Sequence, residues 1–80
     1  MTIKILTFGI ARDIIGSSIF ETQITEGATV TDLKQHLLDK YPRFGNLASL
    51  MIAVNEEYGQ DNTILQEKDE IALIPPVAGG

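Results

Sequence analysis

Short runs of β-branched and aromatic residues alternate along this chain with polar, turn-forming segments. In the first run, residues 2–8, Ile3 and Ile5 fall in one phase of the alternation. Leu6 and Phe8 fall in the other phase, so both faces of the run are apolar. A strand with two apolar faces is typical of a central position, or of a strand with one end exposed to a partner.

The next two segments predict a loop and a second strand. Residues 9–16 are bounded by glycines and are interpreted as a loop that holds at most one helical turn. Residues 17–24 place Phe20, Thr22 and Ile24 on one face and acidic or amide side chains on the other. This alternation predicts a strand that pairs with the first one.

One segment, residues 29–41, has the pattern of a clear amphipathic helix. Thr29 is a good N-cap, and Asp32 three positions later completes a capping box. Pro42 disfavours the helical conformation of the residue before it and is expected to end the helix. The apolar stripe consists of Val30, Leu33, Leu37 and Tyr41.

The second half of the chain predicts further strands and no second long helix. Residues 49–55 read as a central strand, residues 56–59 as a turn into a short edge strand, and residues 70–75 as the last strand. Residues 63–69 are expected to hold a short helical turn. A single helix on a mixed sheet makes the expected fold class α+β, with one domain at residues 1–74 and an extended segment at residues 75–80.

Composition excludes several classes of function. Six basic residues against eleven acidic ones give a net charge of −5, and the basic residues are scattered, so nucleic acid is not an expected partner. An acidic protein is instead steered toward basic protein surfaces. The chain has no cysteine, no run of membrane-spanning length and no signal-peptide pattern, so we expect a cytoplasmic protein that does not enter a membrane.

The body of the chain offers no candidate catalytic or metal centre. His36 is the single histidine and is interpreted as a solvated helix residue. Residues 55–61 are acidic but lack the spacing of a calcium loop. No glycine-rich phosphate loop follows a strand. By itself the chain is therefore expected to be catalytically inert.

The C-terminal segment has a more specific composition than a frayed end requires. Prolines lack an amide hydrogen, so Pro75 and Pro76 stop the sheet and stiffen the base of an extended arm. Val77 supplies one modest apolar contact, and the arm ends in Ala78, Gly79 and Gly80. Residues with almost no side chain allow a backbone to pass through a narrow channel and present its terminal carboxylate to another protein.

The stretches "VNEEY" (residues 54–58) and "DEIALIPPVAGG" (residues 69–80) resemble the ubiquitin-like sulfur carriers of the ThiS and MoaD superfamily. Within it, the chain is most similar to the small subunits of molybdopterin synthase. The resemblance covers essentially the whole chain, and "PPVAGG" is its most specific part. It implies a β-grasp (ubiquitin-like) fold with a mixed sheet, one main helix and an extended C-terminal tail.

The resemblance also implies a function. A MoeB-like adenylating enzyme would use ATP to activate Gly80. A sulfur donor such as a cysteine desulfurase or rhodanese would convert Gly80 to a thiocarboxylate. The tail would then enter a MoaE-like large subunit, in a heterotetramer, and donate sulfur to cyclic pyranopterin monophosphate. No cofactor is expected on this chain itself.

Individual residues carry the resemblance. Gly79 and Gly80 match the family's diglycine, and Pro75, Pro76 and Val77 match its rigid lead-in. The resemblance implies that residues 75–79 are inserted into the partner. Phe8, Tyr58 and Ile74 fall at positions that in the family form an apolar patch for docking the partners. Two positions depart from the pattern, since Lys68 stands where glycine is frequent and Ala78 where a hydroxyl is usual. If the turn at Lys68 needs a positive φ, that residue is strained.

Three alternatives remain open from the sequence. A thiamine-pathway sulfur carrier shares the fold and the diglycine chemistry. A ubiquitin-like modifier would join its diglycine to lysine after the same adenylation. A plain β-grasp interaction domain would leave the tail unused.

Overall fold

A computed structural model describes residues 1–46 and 50–74 of the chain, which form a five-stranded sheet with helices on one face. The elements are β1 (Thr2–Thr7), α1 (Gly9–Ile15), β2 (Ile19–Gln23), α2 (Val30–Lys40), a 3-10 helix (Pro42–Asn46), β3 (Met51–Val54), β4 (Glu57–Tyr58) and β5 (Ile71–Ile74). None of the helices in these two ranges is long and apolar enough to cross a bilayer.

The strands are ordered β2-β1-β5-β3-β4, so the last strand in sequence lies at the centre of the sheet. β5 is parallel to β1 and antiparallel to β3, while β2 and β4 form the two antiparallel edges. This mixed sheet with its main helix confirms the predicted α+β, β-grasp fold. The predicted central positions of β1 and β3 and the pairing of β1 with β2 are also confirmed.

The core lies between the sheet and the helices. Ile3 and Ile5 of β1 and the stripe of α2 are buried on the same side, as the two periodicities predict. The fully buried large side chains are Ile3, Ile5, Val30, Leu33, Leu37, Ile52, Leu65, Ile71 and Leu73. Less buried residues alternate with them along β1 and β5, and their side chains lie on the second face of the sheet.

Helix α2 begins and ends where the sequence predicts. The Thr29 hydroxyl accepts a hydrogen bond from the Asp32 amide at 3.3 Å, and the Asp32 carboxylate accepts one from the Thr29 amide at 2.9 Å. This reciprocal pair satisfies two amides that the helix cannot satisfy itself. The helix ends at Lys40, and Tyr41 before Pro42 leaves the helical conformation.

Residues 9–15 correct one prediction, because they form helix α1 rather than a loop. The N-cap position holds Phe8, which has no polar side chain to cap the helix, so the usual start signal is missing. Gly16 provides the stop signal, with φ of 88° and an amide that donates to the Arg12 carbonyl. Ala11 enters the core and anchors the helix.

The segment before β5 differs in part from its prediction, because it contains a single turn but no helix. Ile64 forms an isolated antiparallel bridge with Thr29, and the Leu65 amide donates to the Ala28 carbonyl at 2.8 Å. These bonds hold residues 64 and 65 extended, so that the Leu65 side chain is buried in the core. The turn follows at residues 66–69, where the Asp69 amide donates to the Gln66 carbonyl at 3.0 Å.

The backbone strain lies in the turn between β3 and β4, not at Lys68. Asn55 and Glu56 form the two-residue connection between Val54 and Glu57, with φ of 54° and 70°. Such a turn matches the twist of the paired strands but requires positive φ at both central positions. Asn tolerates that region, whereas Glu pays a steric penalty. Lys68 has no positive φ.

Replacing Glu56 with glycine is therefore expected to stabilise the domain, by about 0.5–1 kcal/mol in the free energy of unfolding, because glycine adopts positive φ without steric cost. Glu57→Gly is the matched control. Glu57 is the neighbouring strand residue, where the same change should destabilise by about 0.5–1 kcal/mol. Urea unfolding of both variants measures the difference, and two changes of the same sign would contradict the strain at Glu56.

Candidate functional site

The face of the sheet opposite the helices carries a cavity of about 310 Å³. Buried side chains of both α1 and α2 belong to the core on the other face, so no helix of the described residues covers this one. The cavity is lined by Leu6, Phe8, Ala53, Glu56, Tyr58, Glu70, Ala72 and Ile74. We call it the open-face cavity.

All three predicted docking residues of the described chain meet at this cavity. Phe8 is 50% exposed, Tyr58 is 66% exposed and Ile74 is half-buried. They come from β4, from the end of β5 and from the position after β1, so only the folded sheet brings them together. Large exposed apolar side chains around one depression are typical of a protein interface. Their role in docking stays a prediction.

Strand pairing explains why Phe8 and Ile74 are neighbours. β1 and β5 are parallel, with Thr7 opposite Leu73, so Phe8 and Ile74 follow at the same end of the sheet. The chain continues from Ile74 into the predicted insertion segment at that end. The predicted site residues Pro75, Pro76, Val77, Ala78, Gly79 and Gly80 lie outside the described residues.

Three hydrogen bonds of Asn55, together called the clamp, connect the turn beside the cavity to the residues before β5. The Asn55 amide donates to the Glu70 carbonyl at 2.8 Å, and the Glu70 amide donates to the Asn55 side-chain oxygen at 2.9 Å. The Asn55 side-chain nitrogen donates to the Asp69 carboxylate at 3.0 Å. The clamp joins the β3–β4 turn to the start of β5 and so fixes Tyr58 relative to the rest of the cavity.

Sequence reasoning missed the small and acidic members of the lining. Ala53 and Ala72 lie directly opposite each other in strand pairing, and their short side chains form the floor. Glu56 and Glu70 place two carboxylates at its edge. Strand alternation alone assigns Ala72 and Ala53 to the outer face, but the register that brings them together depends on long-range pairing.

His36 corrects a smaller prediction, because it is half-buried rather than solvated. Its Nε2 atom lies 2.9 Å from the hydroxyl of the buried Thr22 on β2. The residue lies beside the apolar stripe of α2, on the side that approaches this strand. A hydrogen bond at that position satisfies a buried hydroxyl, so a structural role accounts for the histidine.

No metal centre is found among residues 1–46 and 50–74, where three or more His, Cys, Asp or Glu side chains are nowhere grouped closely enough to hold an ion. The ion pair between Lys34 and Asp61, at 3.6 Å, joins two largely exposed side chains. Such a pair contributes little to stability.

Comparisons with known proteins agree with this geometry. The profile of the ThiS family matches residues 5–80. A molybdopterin synthase sulfur carrier subunit from Arabidopsis thaliana is 37% identical over 79 residues, which cover 98% of this chain and 82% of the relative.

Two solved structures extend the similarity to the fold. One, from Pyrococcus furiosus, is provisionally named molybdopterin converting factor, subunit 1. It superposes with a TM-score of 0.86 at 27% identity, covering 96% of this chain and 99% of that one. The other is a chain in a protein–protein complex of subunits 1 and 2 of molybdopterin-converting factor from Helicobacter pylori. It has a TM-score of 0.67 at 28% identity, with complete coverage of both chains.

Proposed function

Because the chain belongs to the ThiS family, we propose that it is the sulfur carrier subunit of a molybdopterin synthase, with Gly80 as the carrier group. The observation that carries the proposal is the position of the open-face cavity. Its exposed apolar side chains lie at the end of the sheet from which the chain leads to the diglycine. A partner bound over this cavity receives the C-terminal segment directly.

The chemistry at Gly80 begins with activation, because a carboxylate is a poor electrophile. An adenylating partner joins the Gly80 carboxylate to the AMP part of ATP and releases pyrophosphate. A sulfur donor then supplies sulfur at the sulfide level, which attacks the acyl carbon and displaces AMP. The product is a Gly80 thiocarboxylate, whose sulfur is a soft nucleophile at neutral pH.

Sulfur transfer then takes place in the large subunit. The C-terminal segment, now carrying the Gly80 thiocarboxylate, enters that subunit and delivers its sulfur to cyclic pyranopterin monophosphate. Water then restores the carboxylate of Gly80. Each dithiolene needs two sulfur atoms, so two carrier deliveries are required. In this proposal the large subunit supplies the catalytic groups, and this chain supplies the docking residues and the carrier group. The two-subunit complex from Helicobacter pylori supports such an assembly.

The composition also supports a cytoplasmic location as part of the proposal. The chain contains no cysteine, so it relies on no disulfide and offers no thiol that competes with the carrier group. The net charge of −5 favours encounter with basic partner surfaces.

Sulfur loading is the direct test. The purified chain is incubated with a MoeB-like adenylating enzyme, ATP and a cysteine desulfurase with free cysteine as its sulfur source, in the presence of a thiol reductant that releases the sulfur as sulfide. Its intact mass is then measured. We expect the mass to change by one exchange of oxygen for sulfur, located on the C-terminal peptide. The loaded chain should then support conversion of cyclic pyranopterin monophosphate by the large subunit.

The controls separate the related functions. Omission of ATP should leave the mass unchanged. An unchanged mass under conditions that load another sulfur carrier would overturn the proposal. Loading that supports a thiazole synthase but not the large subunit would assign the chain to the thiamine pathway, and lysine-linked conjugates would assign it to protein modification.

A further inference from the structure

One apolar row crosses the whole open face of the sheet. Leu6 on β1 lies opposite Ile19 on one side and Ala72 on the other. The register continues from Ala72 to Ala53 and ends at Tyr58 on β4. The row therefore joins the open-face cavity to the opposite edge of the sheet, through one residue from each of the five strands.

Ile19 is the member of this row that lies beyond the cavity. Its side chain is 52% exposed although it is large, apolar and β-branched. Phe20 and Thr22 of the same strand face the core, so Ile19 is held on the open face by the alternation of β2. An exposed isoleucine on an edge strand is a liability unless something covers it.

The apolar row is bordered by charged residues on the side away from Ile74. Two residues before Leu6 on β1, Lys4 lies opposite Glu21, so the face is charged there. Toward the exit, the face remains apolar through Phe8 and Ile74, and Met51 lies opposite Ile74 with an exposed side chain. The apolar half of the face is thus the half that adjoins the C-terminal segment.

We propose that the docking face extends across all five strands and that Ile19 contacts the same large subunit that receives the C-terminal segment. The inference rests on the proposed function for the identity of this partner. The large subunit then needs an apolar surface about 19 Å wide to cover five strands, at the usual spacing of about 4.8 Å between strands.

The occupant follows from where the chain leaves the sheet. β5 is the central strand, so the segment after Ile74 starts from the middle of the apolar half-face, between Ile19 and Tyr58. Ile19 and Tyr58 each lie two strands from β5, so a protein centred on the end of this strand that covers Tyr58 also reaches Ile19. A partner that contacted only the Tyr58 side of the face would leave the Ile19 side chain exposed to water.

The test compares two isoleucines of similar exposure. Ile19→Thr keeps the β-branched shape and removes apolar contact. Ile64→Thr is the matched control, since Ile64 is 60% exposed but lies in the segment that bridges to Thr29. Phe8→Ser reports on the open-face cavity itself. Dissociation constants for the large subunit are measured by calorimetry, after circular dichroism has established that each variant is folded.

We expect Ile19→Thr to raise the dissociation constant about fivefold to tenfold, as loss of buried apolar surface predicts. Ile64→Thr should leave it unchanged. Weakening by Phe8→Ser without any effect of Ile19→Thr would overturn the wider face while leaving the proposed function intact. If neither change weakens binding, docking at the open face itself is wrong.

Self-association is the competing occupant, and the same variants decide it. A second copy on this face would make the wild-type chain dimeric at the concentrations used for calorimetry. Sedimentation of the chain alone should give a monomer. A dimer that Ile19→Thr dissociates would overturn the assignment of Ile19 to the large subunit.

Discussion

Adding a single alanine after Gly80 is expected to abolish sulfur loading and, with it, molybdopterin formation. In the proposed mechanism the reacting group is the carboxylate of Gly80, and an added residue turns it into an unreactive amide. The new terminus also carries a methyl side chain where the partner channel is proposed to accept only glycine. Intact mass after incubation with the adenylating enzyme, ATP and sulfur donor should stay at the unmodified value.

The matched control changes the tail without changing its length. Ala78→Ser introduces the hydroxyl that is usual in the family and should load with sulfur as the wild-type chain does. The extended chain should still bind the large subunit within about threefold of wild type, since the open-face cavity is untouched and a modest loss of contact corresponds to less than 1 kcal/mol. Normal loading of the extended chain would refute the carrier mechanism at Gly80.

Among the substitutions proposed for this domain, Leu33→Ala is expected to lower the free energy of unfolding most. Leu33 is fully buried at the centre of the α2 stripe, between the helix and the sheet. Truncation of a buried leucine costs about 2–5 kcal/mol, through lost transfer free energy and the cavity left behind. A domain of this length has a total stability of about 4–12 kcal/mol. The melting temperature should therefore fall by at least about 10 °C.

Leu38→Ala on the same helix provides the control. Leu38 lies beside the stripe and is 38% exposed, so the same truncation removes less buried surface and should cost less than Leu33→Ala does. Thermal unfolding followed by circular dichroism measures both variants. Equal losses for the two leucines would show that the core does not lie where the stripe of α2 places it.

Sequence reasoning located the features that local chemistry specifies. The capping box at Thr29 and the stop at Pro42 are short-range signals, and α2 begins and ends at them. The second apolar phase of β1 indicated a central strand or one with an exposed end, and β1 is central with Phe8 half exposed after its last residue. These predictions hold because each depends only on residues that are close together in the sequence.

Other features depend on tertiary contacts that the local pattern does not contain. Helix α1 has no polar cap, and it is stabilised by the burial of Ala11 in the core. Glu56 occupies a left-handed conformation because the register of β3 and β4 leaves only two residues for the turn. Ile19 joins the apolar row because it is paired with Leu6, and that pairing spans the intervening helix.

Part of the candidate site could be predicted from the sequence, and the part that depends on long-range strand pairing could not. Phe8, Tyr58 and Ile74 were named from a resemblance, and the fold brings them around one cavity. The alanine floor depends on the antiparallel pairing of β3 with β5, which the local sequence pattern does not specify. The reactive segment itself, residues 75–80, was predicted from composition and stays a prediction.

The central position of β5 has a consequence for biosynthesis. β1 and β3 can each contact their final neighbour only after Ile71–Ile74 have been translated, so the nascent chain has no complete hydrophobic core until synthesis has passed Ile74. Closure of so long a loop makes the final collapse a late event in the life of the polypeptide. A ribosome-bound intermediate lacking these four residues would expose Ile5 and Ile52 and would be a natural client of chaperones.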